Sequence, residues 1–236
     1  MAALCLTLVS TGFAQNKMAP VEAPAWLKTW TQPAVPDAYR SPGKLHKVMV
    51  RTEDTEQLRI LNKISSLKVF HYQNRRLYLL SSEALDRLPP QQQQRLSIRD
   101  EQNLIRLRDR IFDTTVPQPQ ISQRLRLEPR QTHQLHLLQF TGPVQGDWLA
   151  ALRQSENIRT VSYFPENAYL LWADQSARAG LTELVKFTPH VQWEGPFHPA
   201  YKLHPGFDLD YGGNVQATVQ LFTHAGVAES LGTITS

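Results

Sequence analysis

An α+β fold of repeated strand-helix-strand-strand modules with antiparallel sheets is expected from three features of the chain. Short apolar runs such as HKVMVR (His46–Arg51) and LHLLQF (Leu135–Phe140) alternate with the two-residue period of strands. The stretches that follow them carry apolar residues three and four apart, the helix period. The same order of elements comes twice along the chain, with a short turn joining the last two strands each time, which favours antiparallel pairing.

The chain begins with AALCLTLVSTGFA (Ala2–Ala14), an uncharged stretch ending in Gly12-Phe13-Ala14, small residues at the positions a signal peptidase reads. Residues 1–14 are therefore read as a signal peptide, truncated at its start because no basic residue precedes the apolar core. The stretch is shorter than the roughly 20 apolar residues a membrane span needs. The mature protein is expected to be secreted or periplasmic, without a membrane span. Cys5 is the only cysteine and leaves with this segment, which excludes disulfides, zinc-thiolate sites and a cysteine nucleophile. Residues 15–44, with Pro20, Pro24, Pro33, Pro36 and Pro42, are read as a Pro-rich leader.

The first α+β module is placed at 45–115. His46–Arg51 is its first strand, Asp54-Thr55-Glu56 open a helix carrying Leu58, Leu61 and Ile64, and Leu67–Tyr72 and Leu77–Leu80 form a hairpin around Gln73-Asn74-Arg75-Arg76. The polar run Gln91–Gln94 is left without an element, and Asn103–Phe112 is read as one further strand. A linker covers 116–133. The second α+β module, 134–207, repeats the order: strand Leu135–Phe140, helix Val144–Gln154, strands Ile158–Tyr163 and Ala168–Trp172, helix Ser176–Val185 and strand His190–Trp193. Residues 208–236 are read as the start of a third module, with Val215–Phe222 as its strand, cut off before its partner strands.

The polar and titratable residues carry structural readings. His133 and His136 lie three apart on a strand and so point to opposite faces, which excludes a shared metal and suggests surface histidines. His198 and His204, near Asp208 and Asp210, lack the spacing of a ligand motif, and Phe207–Gly213 lacks the further ligands of a calcium loop. No serine stands in the glycine context of an exposed nucleophile. Gly212-Gly213 does not lead into a phosphate-binding helix, so no cofactor is expected. Net charge is +4, with 25 basic and 21 acidic residues interleaved. Arg106, Arg108 and Arg110 would share one strand face, but no aromatic residue alternates with them to stack bases, so the face is read as solvated and nucleic acid is not expected as a partner.

One part of the chain resembles a known family. Gln139-Phe140, Gly142-Pro143, Trp148, the run Tyr163-Phe164-Pro165-Glu166-Asn167-Ala168-Tyr169, Trp193-Glu194-Gly195-Pro196 and Pro199-Ala200-Tyr201-Lys202-Leu203 resemble the N-terminal region ahead of the catalytic domain in secreted bacterial subtilisin-like serine proteases. The first module resembles protease pro-segments in pattern only. The resemblance implies ferredoxin-like, propeptide-type modules and a non-catalytic N-terminal or pro-region that assists folding of the protease domain or holds it inactive. Its implied partner is that domain, in the same precursor chain. The family's Asp-Ser/Thr-Gly, His-Gly-Thr-His and Gly-Thr-Ser-Met motifs are absent, so these 236 residues are not expected to cleave peptide bonds.

The residues themselves suit structural or docking roles. Gly142-Pro143 ends a strand and places proline in a first helical turn. Trp148, Leu149 and Leu152 form a core face. Pro165 and Asn167 supply turn chemistry, and Tyr169 alternates with Ala168 and Leu170 on a strand packed on both faces. Gly195-Pro196 breaks a strand after Trp193, and Pro199–Lys202 then runs extended with Tyr201 covering apolar surface. The alternative reading is a free-standing secreted binding module or protease inhibitor. An independent hydrolase would need clustered polar groups in a cleft, for which the sequence supplies no set.

Overall fold

A computed structural model of the chain describes residues 5–7, 45–64, 68–108, 110–204, 206–214, 216 and 218–221. The Pro-rich leader and most of the segments read as a signal peptide and a third module lie outside the described residues. Cys5–Thr7 forms a short strand, β1.

The first unit starts with β2 (His46–Arg51), followed by α1 (Thr55–Lys63). Asp54 caps this helix, its Oδ1 accepting from Gln57 N at 3.0 Å, with Glu56 in the first turn and Lys63 in the last, where each charge suits the helix dipole. β3 (Lys68–His71) and β4 (Arg75–Leu80) form the expected hairpin. Two short helices then follow, α2 (Ser82–Asp86), capped by Ser81, and α3 (Pro90–Gln93), which begins at a proline. α3 covers most of the polar run Gln91–Gln94 that the sequence left without an element, and α2 precedes it. A two-residue strand, β5 (Ser97–Ile98), completes a four-stranded antiparallel sheet in the order β3-β4-β2-β5.

Asn103–Phe112 is not one strand. β6 (Leu104–Arg106) and β7 (Ile111–Asp113) pair as a hairpin whose turn closes through Leu107 N to Arg110 O at 2.8 Å. The break separates the three arginines: Arg106 is buried inside the protein, whereas Arg108 and Arg110 are exposed at the turn. The expected solvated arginine face therefore does not exist.

The second unit runs β8 (Gln134–Phe140), α4 (Gly146–Arg153), β9 (Ile158–Phe164), β10 (Ala168–Ala173), α5 (Gln175–Phe187) and β11 (Val191–Pro196). Its antiparallel sheet has the order β11-β8-β10-β9. Numbered within each unit, both sheets run fourth-first-third-second, and each has helices after its first and third strands. The α+β class with antiparallel sheets is thus the fold of the described chain. α4 starts at Gly146, so Pro143 lies in the turn before the helix and not in its first turn.

Strand alternation explains the layers. Leu138, Phe140, Tyr169 and Leu171, with Val191 of β11, meet the helices through Leu152 and Leu181. Leu135, Leu137, Ala168 and Leu170 point the other way, onto Ile105, Leu107 and Phe112 of the β6–β7 hairpin and onto Phe197. The hairpin, read from sequence as part of the first unit, therefore packs in the core of the second. In the first sheet Val48, Val50, Tyr78 and Leu80 face the helices, with Leu58, Leu61 and Leu85. The opposite face, Met49, Phe70, Leu77 and Leu79, packs against Trp148 of the second unit. Each such buried apolar side chain contributes roughly 1.5–3 kcal/mol.

Beyond β11, Pro199–Tyr201 forms a single 3-10 turn where an extended run was expected. Within the segment read as a third module, β12 (Thr218–Gln220) pairs antiparallel with β1.

Candidate functional site

The two units meet along a seam that is apolar at one end and polar at the other. At the apolar end Trp148 stands edge-on to Phe70, with ring centres 5.7 Å apart, and stacks on His190 at 5.0 Å and on Phe140 at 5.9 Å. Gly142 lies so close to the first sheet that a Cβ would sit 2.4 Å from Leu77 Cδ2 and 2.9 Å from the Tyr72 hydroxyl. Only glycine permits that approach. Burial there pushes the Tyr72 phenol up to about 12.

The polar end is organised by Lys47 and Gln139. Lys47 is 0% exposed because β2 alternates: His46, Val48 and Val50 face the helices of the first unit, while Lys47 and Met49 face the second. Lys47 Nζ donates to Gln102 O at 2.8 Å. Burial brings its ammonium down from 10.5 to about 7, against the attraction of Asp100, Asp113, Glu166 and Glu101. Gln139, also fully buried, spreads its Nε2 hydrogens over Gln102 O at 3.2 Å, Leu104 O at 3.0 Å and Glu166 O at 3.0 Å. Its Oε1 accepts from Thr114 Oγ1 at 2.6 Å and Gln192 Nε2 at 3.1 Å. One side chain thereby ties β8 to the hairpin, the β9–β10 turn and β11.

That turn is strained. Glu166 and Asn167 both have φ of 66°, a left-handed conformation that suits asparagine and is uncommon for glutamate. It aims the Glu166 carboxyl inward, where burial raises its pKa against the opposing pull of Arg106 and Lys47. Lys47, Gln139 and Arg106 are all closed off from solvent, so the seam couples the two units through buried polar groups.

Two smaller clusters hold the other polar groups. His136 is not on the surface: it is 5% exposed and its Nε2 bonds Glu194 Oε2, while Glu194 Oε1 accepts from Thr182 Oγ1 at 3.0 Å. Burial pushes the Glu194 carboxyl up, but the His136 and Thr182 bonds bring it below its ordinary value. His133, by contrast, is exposed and stacks on Trp172 at 5.8 Å. At one end of the first sheet His46 Nδ1 lies 2.7 Å from Asp100 Oδ2 and His46 Nε2 3.1 Å from Ser82 Oγ. His198 Nδ1 accepts from Leu127 N at 2.9 Å, His204 Nδ1 from Gly206 N at 3.1 Å and Asp208 Oδ1 from Asp210 N at 2.9 Å, while Arg124 holds Asp210 at 2.8 Å.

The residues singled out in the sequence do not converge on one reaction centre. Gln139, Phe140, Gly142 and Trp148 build the seam, with Pro143 in the turn before α4. Pro165 and Asn167 make the β9–β10 turn, and Asn167 N donates to the Tyr163 hydroxyl at 3.3 Å. Tyr163 is 48% exposed and edge-on to Tyr169 at 5.2 Å. Trp193 and Tyr201 both pack on Phe112, at 5.6 Å each, from the sheet and from the 3-10 turn that holds Pro199 and ends at Lys202. A Cβ on Gly195 would lie 2.5 Å from the Trp193 ring, and Pro196 ends β11. Sequence reasoning passed over Lys47 and Gln192, placed Arg106 on a solvated face and named Glu166 only as part of the family-like run. Only the mismatch of Lys47 with its apolar neighbours could have signalled one of them.

A family model described as a domain of unknown function, DUF8729, matches residues 106–198. That span opens in the hairpin and closes just past β11, so it takes in most of the hairpin together with the sheet it packs on, and stops short of Lys47 and the first unit. No curated protein and no solved structure matches the chain.

Proposed function

We propose that these residues form the non-catalytic N-terminal region of a secreted subtilisin-like serine endopeptidase precursor, and that it assists folding of the protease domain or holds it inactive. The observation that carries this reading is that the family-like residues from Gln139 to Lys202 fall within a single unit of β-α-β-β-α-β connectivity, the ferredoxin-like split βαβ arrangement. The first unit has the same strand order, as a propeptide-type module would.

The surface offered to a protease domain is the outer side of β9. It is the longest edge strand of the two sheets, and among the described residues nothing pairs with its outer side. A bulge where Leu170 and Leu171 pair with Ser162 and Thr160 interrupts it at Val161, leaving short runs on either side for strand addition. No described helix is long and apolar enough to cross a membrane.

The test is to read the coding frame beyond codon 236 and, if a protease domain follows, to express the precursor with and without residues 45–204. The expected result is Asp-Thr-Gly, His-Gly and Gly-Thr-Ser motifs downstream, together with a large loss of active enzyme on deletion. A stop directly after Ser236, or full activity without the region, would overturn the reading.

A further inference from the structure

Three strand ends meet at one edge of the first unit. His46 opens β2 and pairs with Leu80, the last residue of β4. Two residues past Leu80, at the strand-to-helix turn, lies Ser82. On the other side of β2, β5 leads into Asp100, whose Oδ1 accepts from Lys47 N at 3.0 Å while Arg99 N donates to Lys47 O at 2.7 Å. Asp100 is thus fixed by the backbone of the strand that carries His46. Its second oxygen is 2.7 Å from His46 Nδ1, and His46 Nε2 is 3.1 Å from Ser82 Oγ.

The polarity of this chain is dictated by the carboxylate. An ionised Asp100 can only accept, so the proton of a neutral imidazole sits on Nδ1 and leaves Nε2 with a lone pair. Ser82 must then donate its hydroxyl hydrogen to Nε2. This is the arrangement a general base needs beside a hydroxyl nucleophile, recognised by geometry and not by sequence position. The His46 and Asp100 side chains are 15% and 11% exposed and Ser82 is half-buried, so none of the three residues is sealed from solvent. The chain order His, Ser, Asp, with no glycine around Ser82, hides this arrangement from any local motif.

We propose that Ser82 is a nucleophile activated by His46 and Asp100, and that it accepts an acyl group from a small carboxylic ester. Ser82 Oγ bonds to the ester carbonyl carbon while its proton passes to His46 Nε2. The carbon–oxygen bond to the alcohol breaks, and the alcohol leaves with that proton. Water then attacks the acyl-serine, His46 takes a proton from the water and returns one to Ser82, and the carboxylic acid is released. This activity is separate from the role proposed above, in which these residues take no part in cleaving peptide bonds, and does not rest on it.

The experiment treats the 236-residue chain with a fluorophosphonate, which forms an oxygen–phosphorus bond at the serine and expels fluoride, and maps the adduct by peptide mass. p-Nitrophenyl butyrate turnover is followed in parallel. The expected result is one adduct, on Ser82, forming at a rate that rises with pH as His46 loses its proton. That midpoint lies above 6.5 because the Asp100 hydrogen bond, with Asp86 nearby, holds the imidazolium. Ser82→Ala should abolish both signals, and Asp100→Asn should slow labelling roughly tenfold or more. An adduct absent from Ser82, or formed there no faster than on other serines or without pH dependence, overturns the proposal. Labelling without Ser82-dependent ester turnover overturns it too. Mapping on the wild-type chain keeps the test decisive if a variant fails to fold.

Discussion

Replacing Lys47 by Met probes the seam most directly. In the folded chain burial holds the Lys47 ammonium near 7, whereas the unfolded chain keeps the ordinary 10.5. The folded value is depressed, so between these limits the unfolded state binds the extra proton and stability rises with pH. The cost of neutralising or burying this charge at pH 7 is about 4 kcal/mol, and about 3 kcal/mol of it is relieved by pH 9.5. Met has similar length and no charge. Its cost is the lost bond to Gln102 O, about 1 kcal/mol, and that carbonyl keeps the Gln139 amide at 3.2 Å. Lys47→Met should therefore be more stable than the wild type by about 3 kcal/mol at pH 7 and nearly equal to it at pH 9.5. Urea unfolding of both proteins at the two pH values measures this. His46, whose raised pKa makes its contribution fade as pH climbs, is common to both proteins and cancels in the difference. Parallel pH profiles, or a variant less stable at pH 7, would show that Lys47 is not held as a depressed, buried amine.

Other substitutions test the seam from the second unit. Gly142→Ala places a Cβ 2.4 Å from Leu77 Cδ2 and should destabilise by about 1–3 kcal/mol, seen as a lower melting temperature. Because Gly142 has ordinary negative φ, an unchanged melting temperature would mean that the sheets do not meet there. Gln139→Leu strips partners from the Leu104 and Glu166 carbonyls and from Thr114 and Gln192, and should cost about 3 kcal/mol or more in denaturant unfolding. Gln192→Leu, which removes one of those partners, should cost less.

Much of the second unit was legible in the sequence. β8, β9 and β10 fell where alternation placed them, and the positive φ of Asn167 followed from the turn residues around it. The first unit was half legible: α2 escaped notice because five residues are too few to show a helix period, α3 because a Gln-rich run has no apolar period, and β5 because two residues make no pattern. The site was hardest to see. His136 was expected at the surface because spacing excluded a shared metal, but Glu194 comes from a strand 58 residues away and makes burial possible. Arg106 was read on a solvated face because the turn at Leu107–Arg110 lacks glycine and proline, the usual markers.

Local pattern in the chain was enough for the class of the fold and, in the second unit, for the order of strands and helices, because apolar period, caps and turn residues act over a few neighbours. The tertiary structure alone decided which face of each sheet lies inside. The second face of the first sheet is covered only because another unit packs on it, and that packing turns Lys47 from a strand-surface lysine into a buried amine titrating near 7. The same is true of Gln139, whose partners are contributed by segments up to 53 residues away, and of Ser82, His46 and Asp100, which meet only when three strands share an edge. Burial and proton affinity depend on what arrives from afar in the chain, and local pattern carries no record of it.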